Sequence, residues 1–421
     1  MLRAEAMSTF RIWIIAALLV TGLEPVASVT ASAQITQQGS KLVGTGAVGG
    51  ASQGSSTALS ADGNTAIVGG PNDNNGVGAA TRSGGVWTQQ GSKLVGTGAV
   101  GGAWQGSSVA LSADGNTAIV GGPDDNRIGA AWVFTRSGGV WTQQGSKLVG
   151  TGAVGGASQG SSVALSADGN TAIVGGLDNN SVEGAWVFTR NGGVWTQQGS
   201  KLVGTGAAKA GWQGSSLALS PDGNTAIVSA WAFTRSRGIW TQQGSKPIGA
   251  DAVGANGYSE CSVALAAGGD TAILGCAGLS GAWVFARGGG VWTQQGSKLV
   301  GTGAVGFSQQ GSSVALSADG NTAIIGGMTD GENLPVIGYD PPMRSPTGAA
   351  WLFTRSSGVW TQQGSKLVGT GAAAGALQGT SVALSADGNT AMVGGRADNG
   401  DAGAAWVFVQ PAMPGKSNGA N

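Results

Sequence analysis

The chain has 421 residues, of which 10% are charged, and its formal net charge is zero. A balance of this kind creates no field that would attract nucleic acid or an anionic membrane surface. Histidine is absent, which excludes the Ser-His-Asp arrangement and the histidine-based zinc sites. The 81 glycines follow no Gly-X-Y period, and the recurring tryptophans favour a turn-rich β protein over a disordered chain.

Residues 1–33 have the pattern of a secretory signal peptide. Arg11 precedes an apolar run at 12–20, and Ala-Ser-Ala at 31–33 is a small-x-small cleavage site before Gln34. The alternative is a membrane anchor, but the run is much shorter than the ~20 residues that a spanning helix needs. We therefore predict export to the periplasm, the cell surface or the medium, without membrane insertion of the mature chain.

The rest of the chain is organised by a repeated phrase, Thr-Gln-Gln-Gly-Ser-Lys. A period of about 50 residues in a β-rich sequence is typical of a propeller or a stacked array. The seven copies begin at Thr36, Thr88, Thr142, Thr196, Thr241, Thr293 and Thr361.

Each unit predicts four short strands. An Asp-Gly turn between two apolar alternating runs is a strong hairpin signal, and a polar loop and a Gly-Gly turn follow it. In the second unit the predicted strands are 107–112, 117–120, 130–135 and 140–149. Four antiparallel strands per repeat are typical of a propeller blade.

The two ends of the repeat array complement each other. The last unit ends at its third strand, residues 404–409, and an orphan fourth strand stands at residues 35–43. This offset favours a closed ring, because the N-terminal strand then covers the exposed edge of the last blade. We predict an all-β fold, a seven-bladed β-propeller of four-stranded antiparallel blades over residues 34–410, closed by the N-terminal strand. A disordered tail, 411–421, follows.

Two units are irregular. Unit one reads Gly78-Ala79-Ala80-Thr81-Arg82 where others read Gly-Ala-Ala-Trp-Val-Phe-Thr-Arg, so its third strand has lost its aromatic core. Unit four has no turn residue between its second and third strands, within 225–235. Either a tight turn forms at Ser229-Ala230 or that blade is malformed.

The repeats resemble FG-GAP repeat proteins, the family whose seven-bladed propellers include the head of integrin α chains. The resemblance covers residues 35–409 and depends on the W-T-Q-Q…K-L and G-S-S-V-A-L-S strands, AIVGGP at 118–123 and GAAWVF at 129–134. The family's Phe-Gly pair is Gln-Gly here, as at Gln105-Gly106, and Gly-Ala-Pro is Gly-Gly-Pro in two repeats. The resemblance implies that partners bind at the face that carries the loops between blades.

Integrin-type propellers bind calcium in a D-x-D-x-D-G-x-x-D loop between the first two strands. Here that loop retains a single carboxylate, as at Asp114. One carboxylate does not supply the roughly six to eight oxygens that calcium takes. We therefore predict a simple hairpin turn at this position, with no metal and no cofactor.

The loops between second and third strands emerge on the same face as the segments that join blades. Asx-rich loops, such as Asp124-Asp125, gather oxygens for a cation or bind sugar hydroxyls, and ordinary turn chemistry is the alternative. Trp104 and Trp212 lie in blade-joining segments, where an exposed ring is able to stack on a sugar.

Unit six carries an insertion, residues 328–347, in place of a short loop. It holds four of the 11 prolines, which stiffen it. An aromatic residue among charges is the composition of a contact surface, and a tolerated surface insertion is the alternative. Its candidate contact residues are Asp330, Glu332, Tyr339, Asp340 and Arg344.

These features predict a monomeric, non-catalytic protein that binds a protein or matrix partner through the loops of one face. A lectin-like glycan binder is the alternative, and a hydrolase that uses the acidic insertion at 328–347 is a third hypothesis. The sequence has no nucleophile elbow, P-loop or paired-carboxylate motif, so no enzymatic activity and no nucleic-acid binding are expected.

Cys261 and Cys276 flank the hairpin of unit five, whose turn is Gly268-Gly269. Counting outward from that turn places the two cysteines directly opposite each other. Opposed Cα atoms of an antiparallel pair are ~4.5–5.5 Å apart, which is within disulfide range. Because export leads to an oxidising compartment, we predict a disulfide.

We expect export to remove residues 1–33. Intact-mass spectrometry of the exported protein should give a chain that starts at Gln34. Replacing the small residue before the cut, Ala33→Leu, should slow processing, since signal peptidases select small side chains there. An exported product that retains Trp13 would show that this segment is not a cleaved signal.

Overall fold

The computed structural model describes residues 34–73, 76–153, 156–176, 184–205, 216–229, 231–244, 261–331 and 346–411. They form seven separate four-stranded antiparallel sheets, so the predicted fold class is confirmed. Within each sheet the strands follow chain order, except in the last sheet, where the N-terminal strand pairs with the C-terminal one. Each sheet is one blade.

The first and second strands of each blade form the hairpin nearest the axis. The first strands are Ser56–Leu59, Ser108–Leu111, Ser162–Leu165, Leu217–Leu219, Cys261–Leu265, Gln310–Leu316 and Gln378–Leu384. The second strands are Thr65–Gly70, Thr117–Gly122, Thr171–Gly176, Thr225–Val228, Thr271–Cys276, Thr322–Gly327 and Thr390–Gly395.

The third and fourth strands form the outer part of each blade. The third strands are Gly76–Ser83, Ala130–Ser137, Gly184–Asn191, Trp231–Ser236, Gly281–Gly288, Ala349–Ser356 and Ala404–Val409. The fourth strands are Val86–Gln89, Val140–Gln143, Val194–Gln197, Ile239–Gln242, Val291–Leu299, Val359–Gln362 and, for blade seven, Thr36–Gln37. Helical structure is confined to single turns at Asp125–Arg127, Ala277–Leu279 and Asp398–Asp401 among the described residues.

The first strands of successive blades lie side by side around the axis, and blade seven contacts blade one. At one end the hairpin turns are joined by backbone hydrogen bonds of 2.8–2.9 Å, as from the Ala61 N–H to the Ala113 carbonyl and from Ala386 back to Ala61. The series lacks one bond, at Pro221, because proline has no N–H to donate. The described blades therefore close into a ring.

Tryptophans of the third strands fill the space between neighbouring blades. Trp132, Trp186, Trp351 and Trp406 are fully buried. Each packs on a glycine of the incoming segment: a Cβ at Gly96 would lie 2.2 Å from Trp132. A buried Gln holds that glycine in place, since Gln105 accepts the Gly96 N–H at 2.6 Å and donates to its carbonyl at 2.9 Å. This dual role explains a Gln at this position.

The irregular blades keep the architecture. Blade one has a full third strand, in which Gly78 opposes Val68 as Trp132 opposes Val120. The strand begins at Gly76, so residues 76 and 77 give it the length of eight residues that the third strand of blade two has. In blade four Val228 pairs directly with Trp231, so the connection is a tight turn that includes Ser229 at φ +55°.

Cys261 and Cys276 are directly opposed in blade five, with their Cα atoms 4.2 Å apart, and are joined by a disulfide.

No helix among the described residues is long and apolar enough to cross a membrane. The predicted signal segment lies outside the described residues.

Deleting residues 34–43 should weaken the ring. Strand Ala404–Val409 would lose its partner, and Asp398 would lose the Lys41 ammonium group. Removing one member of a buried ion pair costs about 3–5 kcal/mol, so we expect Tm to fall by at least about 5 °C, measured by calorimetry.

A synthetic peptide of residues 34–43, added in trans, should restore part of the lost Tm by pairing with the open strand. An unchanged Tm in the deleted chain would show that this strand does not close the ring.

Candidate functional site

Trp104 and Asp124 lie together on the loop face, the face that carries the loops between second and third strands. The Trp104 side chain is 53% exposed, on a residue with φ +53°. Asp124 is exposed, and its N–H is 3.4 Å from the carbonyl of Ala103, the neighbour of Trp104. Of the sequence-predicted contact residues, these two are the exposed ones in the described part of the chain.

Asp125 points inward and is buried. Its Oδ1 accepts the Val100 N–H at 2.6 Å, and its Oδ2 lies 2.5 Å from the Lys147 ammonium group. Val100 belongs to the segment that enters blade two, and Lys147 to the outer edge of the same blade. The Asp125 carboxylate therefore ties the entry and the exit of the blade together.

The same pairing recurs in three other blades. Asp330, from the blade-six insertion, is buried, accepts the Val305 N–H at 2.8 Å and pairs with Lys366. The remaining pairs are Asp73 with Lys93 and Asp398 with Lys41. The structure thus gives Asp125 and Asp330 a role in blade closure.

The remaining predicted contact residues lie outside the described residues. They are Trp212, Glu332, Tyr339, Asp340 and Arg344. The structure accordingly says nothing of a contact surface at residues 332–345.

The opposite face, which we call the turn face, carries a Ser-Asp-Asn hydrogen-bonded network in every blade except blade five. In blade two, Asp114 accepts bonds from Ser112 Oγ at 2.5 Å and from the Asn116 N–H at 2.9 Å. Arg136 donates to Asn116 Oδ1 at 3.0 Å, and its guanidinium lies 5.5 Å from the ring centre of Trp141. A carboxylate, an amide and a guanidinium are therefore joined in one hydrogen-bonded network.

The network changes where blade seven meets blade one. Gln410 takes the backbone position that Arg136 has in blade two, because its N–H donates to the Asn389 carbonyl as the Arg136 N–H does to Asn116. The turn of Asp387 is otherwise intact, with bonds from Ser385 Oγ at 2.5 Å and the Asn389 N–H at 2.9 Å. Asp387 is therefore without an arginine from its own blade.

A cleft of about 470 Å³ opens at this junction, and we call it the seam cleft. The third and fourth strands of blade seven come from opposite ends of the propeller, so no turn joins them and none covers this space. Polar groups from both blades line it: Gln38, Asp62, Asn64, Arg82, Asp387, Asn389, Thr390 and Gln410.

Arg82 spans the seam cleft. Its Nε donates to Asn64 at 3.0 Å, its Nη1 to Gln38 at 3.2 Å, and its Nη2 lies 3.4 Å from the Thr390 hydroxyl. Burial raises the pKa of Asp62, but bonds from Ser60 and Asn64 outweigh it and hold that pKa below its usual value. Asp62 is therefore ionised at neutral pH, beside a fixed guanidinium.

The sequence-based predictions did not include the seam cleft. Its signal is Gln410, directly after the third strand of the last unit, at the repeat position where the other units have Arg. The alignment gives no reason to connect Gln410 with Asp62 and Arg82, because the cleft forms only when the ring closes.

Among the described residues, no group of three or more His, Cys, Asp or Glu side chains is placed to hold a metal ion.

Comparison with solved structures gives propellers at low sequence identity. A putative 6-phosphogluconolactonase from Bacteroides uniformis is 14% identical, with a TM-score of 0.54 over 79% of this chain and 89% of that one. Hydrazine synthase from Kuenenia stuttgartiensis is 12% identical, with a TM-score of 0.50 over 88% and 97%. The periplasmic gluconolactonase PpgL of Pseudomonas aeruginosa is 15% identical, with a TM-score of 0.48 over 75% and 86%. No protein-family model and no curated protein sequence matches the chain.

The comparison corrects the predicted function. We predicted a non-catalytic binding propeller, chiefly because histidine and known catalytic motifs are absent. The propeller from Bacteroides uniformis is named as a putative 6-phosphogluconolactonase, which is a hydrolase. The propeller fold is therefore not by itself a reason to expect binding without catalysis. The non-catalytic prediction, and with it the prediction that the chain is not an enzyme, is therefore wrong.

Replacing Lys147 with Met should destabilise blade two. The change keeps an apolar stem but leaves the buried Asp125 carboxylate without a cation. We expect a loss of about 3 kcal/mol in the free energy of unfolding, measured by urea titration. The matched control is Asp124→Asn at the exposed neighbour, which should change stability by less than about 0.5 kcal/mol. Equal effects of the two changes would contradict the assignment of Asp125.

Proposed function

We propose that this chain is an exported hydrolase of small polyhydroxylated esters, lactones included, and that the seam cleft is its reaction site. The Asp387 carboxylate of blade seven and the Asp62 carboxylate and Arg82 guanidinium of blade one face one open polar cleft. The hydrolase name of the Bacteroides uniformis propeller supports the reaction class and carries no residue roles. The signal pattern at 1–33 supports export, and the repeat motifs support an FG-GAP-like origin of the blades.

Ester hydrolysis requires a base for the attacking water and a positive group for the oxygen that becomes negative. Asp387 is the base in this proposal, since no arginine of its own blade faces it. It takes a proton from water as the water oxygen adds to the ester carbon. When the carbon–oxygen bond of the ester breaks, the proton passes to the leaving oxygen, which yields an acid and an alcohol.

Arg82 stabilises the negative oxygen. A guanidinium has five N–H donors, and three are directed to Asn64, Gln38 and Thr390, which leaves donors for a substrate. The three bonds hold the group in place before the substrate arrives, so no reorganisation is needed during the reaction.

Asp62 and the amides of the cleft would bind the hydroxyls of the substrate. An ionised carboxylate accepts hydrogen bonds from hydroxyls, and side-chain amides of Asn and Gln both donate and accept. A lining of this kind selects a polyhydroxylated substrate over an apolar ester of the same size. It also gives no preference for a strongly anionic substrate, because the two carboxylates outnumber the one guanidinium.

The test uses the purified mature chain with gluconolactone and with an apolar ester as substrates. The release of acid from each is measured by pH-stat titration. We expect Asp387→Asn to lower kcat/KM by about 10²–10⁴-fold and Arg82→Gln by about 10²–10³-fold. The matched control is Asp319→Asn, the same turn position in blade six, where Arg355 is in place. It should retain the wild-type rate.

A reverse variant tests the asymmetry itself. Gln410→Arg gives blade seven the composition of the others, and it should reduce activity at an unchanged Tm by placing a guanidinium beside Asp387. Tm is measured for every variant, because Arg82 also contacts the Trp87 ring at 5.7 Å. Acid release no faster than the buffer blank, or full activity in Asp387→Asn, would rule out this site.

A further inference from the structure

Blade one contains a cavity in the place where other blades hold a tryptophan side chain. Its volume is about 210 Å³. It lies at the interface with blade seven, and its walls come from Leu42, Val43, Gly44 and Gln53 on one side and from Val68, Gly78, Ala80 and Trp87 on the other. Most of this surface is apolar. We call it the blade-one cavity.

Strand register identifies what is missing. Gly78 opposes Val68 as Trp132 opposes Val120, and Ala80 opposes Ala66 as Phe134 opposes Ala118. Blade one therefore lacks both the indole and the phenyl ring of its neighbours. A Cβ added at Gly78 would meet nothing closer than the Val68 carbonyl oxygen at 3.9 Å, so the space beside it is open.

The surroundings of the missing indole are nevertheless kept. The Gly44 N–H bonds to Gln53 Oε1 at 2.6 Å, as the Gly96 N–H does to Gln105. The Thr45 N–H bonds to Gln89 Oε1 at 2.6 Å, as the Thr97 N–H does to Gln143. The backbone that receives a tryptophan in blade two thus has the same hydrogen-bonded arrangement in blade one.

That arrangement presents an acceptor for an indole N–H. Trp132 Nε1 donates to the Thr97 carbonyl at 2.9 Å, and the same bond is made by Trp186, Trp351 and Trp406 to their threonines, at 2.8–2.9 Å. The corresponding carbonyl in blade one is that of Thr45. Lys93 also borders the space beside Gly78, with its ammonium group 3.0 Å from the Asp73 carboxylate that it pairs with.

We propose that the blade-one cavity binds a free indole or an indole-like small molecule. The cavity supplies apolar walls for a flat bicyclic ring and a carbonyl for its N–H, as blade two does for Trp132. An apolar cavity of about 150 Å³ is large enough for benzene, so the blade-one cavity admits a larger ring. This site is separate from the seam cleft and does not depend on the reaction proposed there.

The experiment is a titration of the full mature chain with indole, by calorimetry and by ligand-observed NMR. We expect one site per chain with a Kd of about 0.1 mM. Indene, which has the same shape without the N–H, should bind about tenfold more weakly because the Thr45 carbonyl is then left unpaired.

Two variants locate the site. Gly78→Trp places the missing side chain in the cavity, so it should weaken indole binding at least about tenfold and raise Tm by about 3 °C. Trp132→Gly, the same change made in reverse in blade two, should add a second indole site. If that variant does not fold, the Gly78→Trp result alone decides.

Three outcomes would overturn the proposal. One is no saturable binding up to about 5 mM indole, and another is unchanged binding in Gly78→Trp. The third concerns N-acetyl-L-tryptophanamide, titrated in parallel as a mimic of a tryptophan in a peptide. If it binds at least about tenfold more tightly than indole, the ligand is a protein side chain and not a free small molecule.

Discussion

The pairing of the two chain ends is the interaction on which the structure depends. Strand Thr36–Gln37 completes the blade that ends at Val409, and Lys41 reaches Asp398 of the same blade. Without this pairing the last blade would present an open edge. A chain built of similar repeats becomes one cooperative ring because its last element is supplied by its first.

Closure also creates asymmetry. Near-identical repeats give near-identical environments, so a feature that recurs in most blades, such as the Asp-Asn-Arg network of the turn face, is explained by blade stability. Specific chemistry requires a place where the repetition stops. The seam cleft and the blade-one cavity are two such places, and both lie at the junction of blades seven and one. The junction differs because it is made of chain ends and of the unit with the most altered third strand.

The repeat phrase was sufficient to predict the number of blades, their four strands and the closing strand, because each of these depends on local pattern and on counting. The pairing of Cys261 with Cys276 also depends on local register, and the structure places the two side by side. Side-chain roles were less accessible. Asp125 reads as a loop residue, yet it is buried, because its partners Val100 and Lys147 come from segments on either side of the loop. The non-catalytic prediction was wrong because a missing residue type excludes particular mechanisms and not catalysis as a whole.

Blade one shows how such a ring tolerates change. Relative to blade two it has lost two large rings, at Gly78 and Ala80, and it still forms a strand of full length that pairs on both sides. Backbone pairing and the Gln53 contact to Gly44 do not depend on the missing side chains, so the frame persists and the volume stays open. An open apolar volume lowers stability, and that loss is recovered when a ligand of the same shape binds the folded state. The loss of two aromatic side chains from one blade therefore leaves a cavity. Its shape and its hydrogen-bond acceptor correspond to those that surround a tryptophan in the other blades.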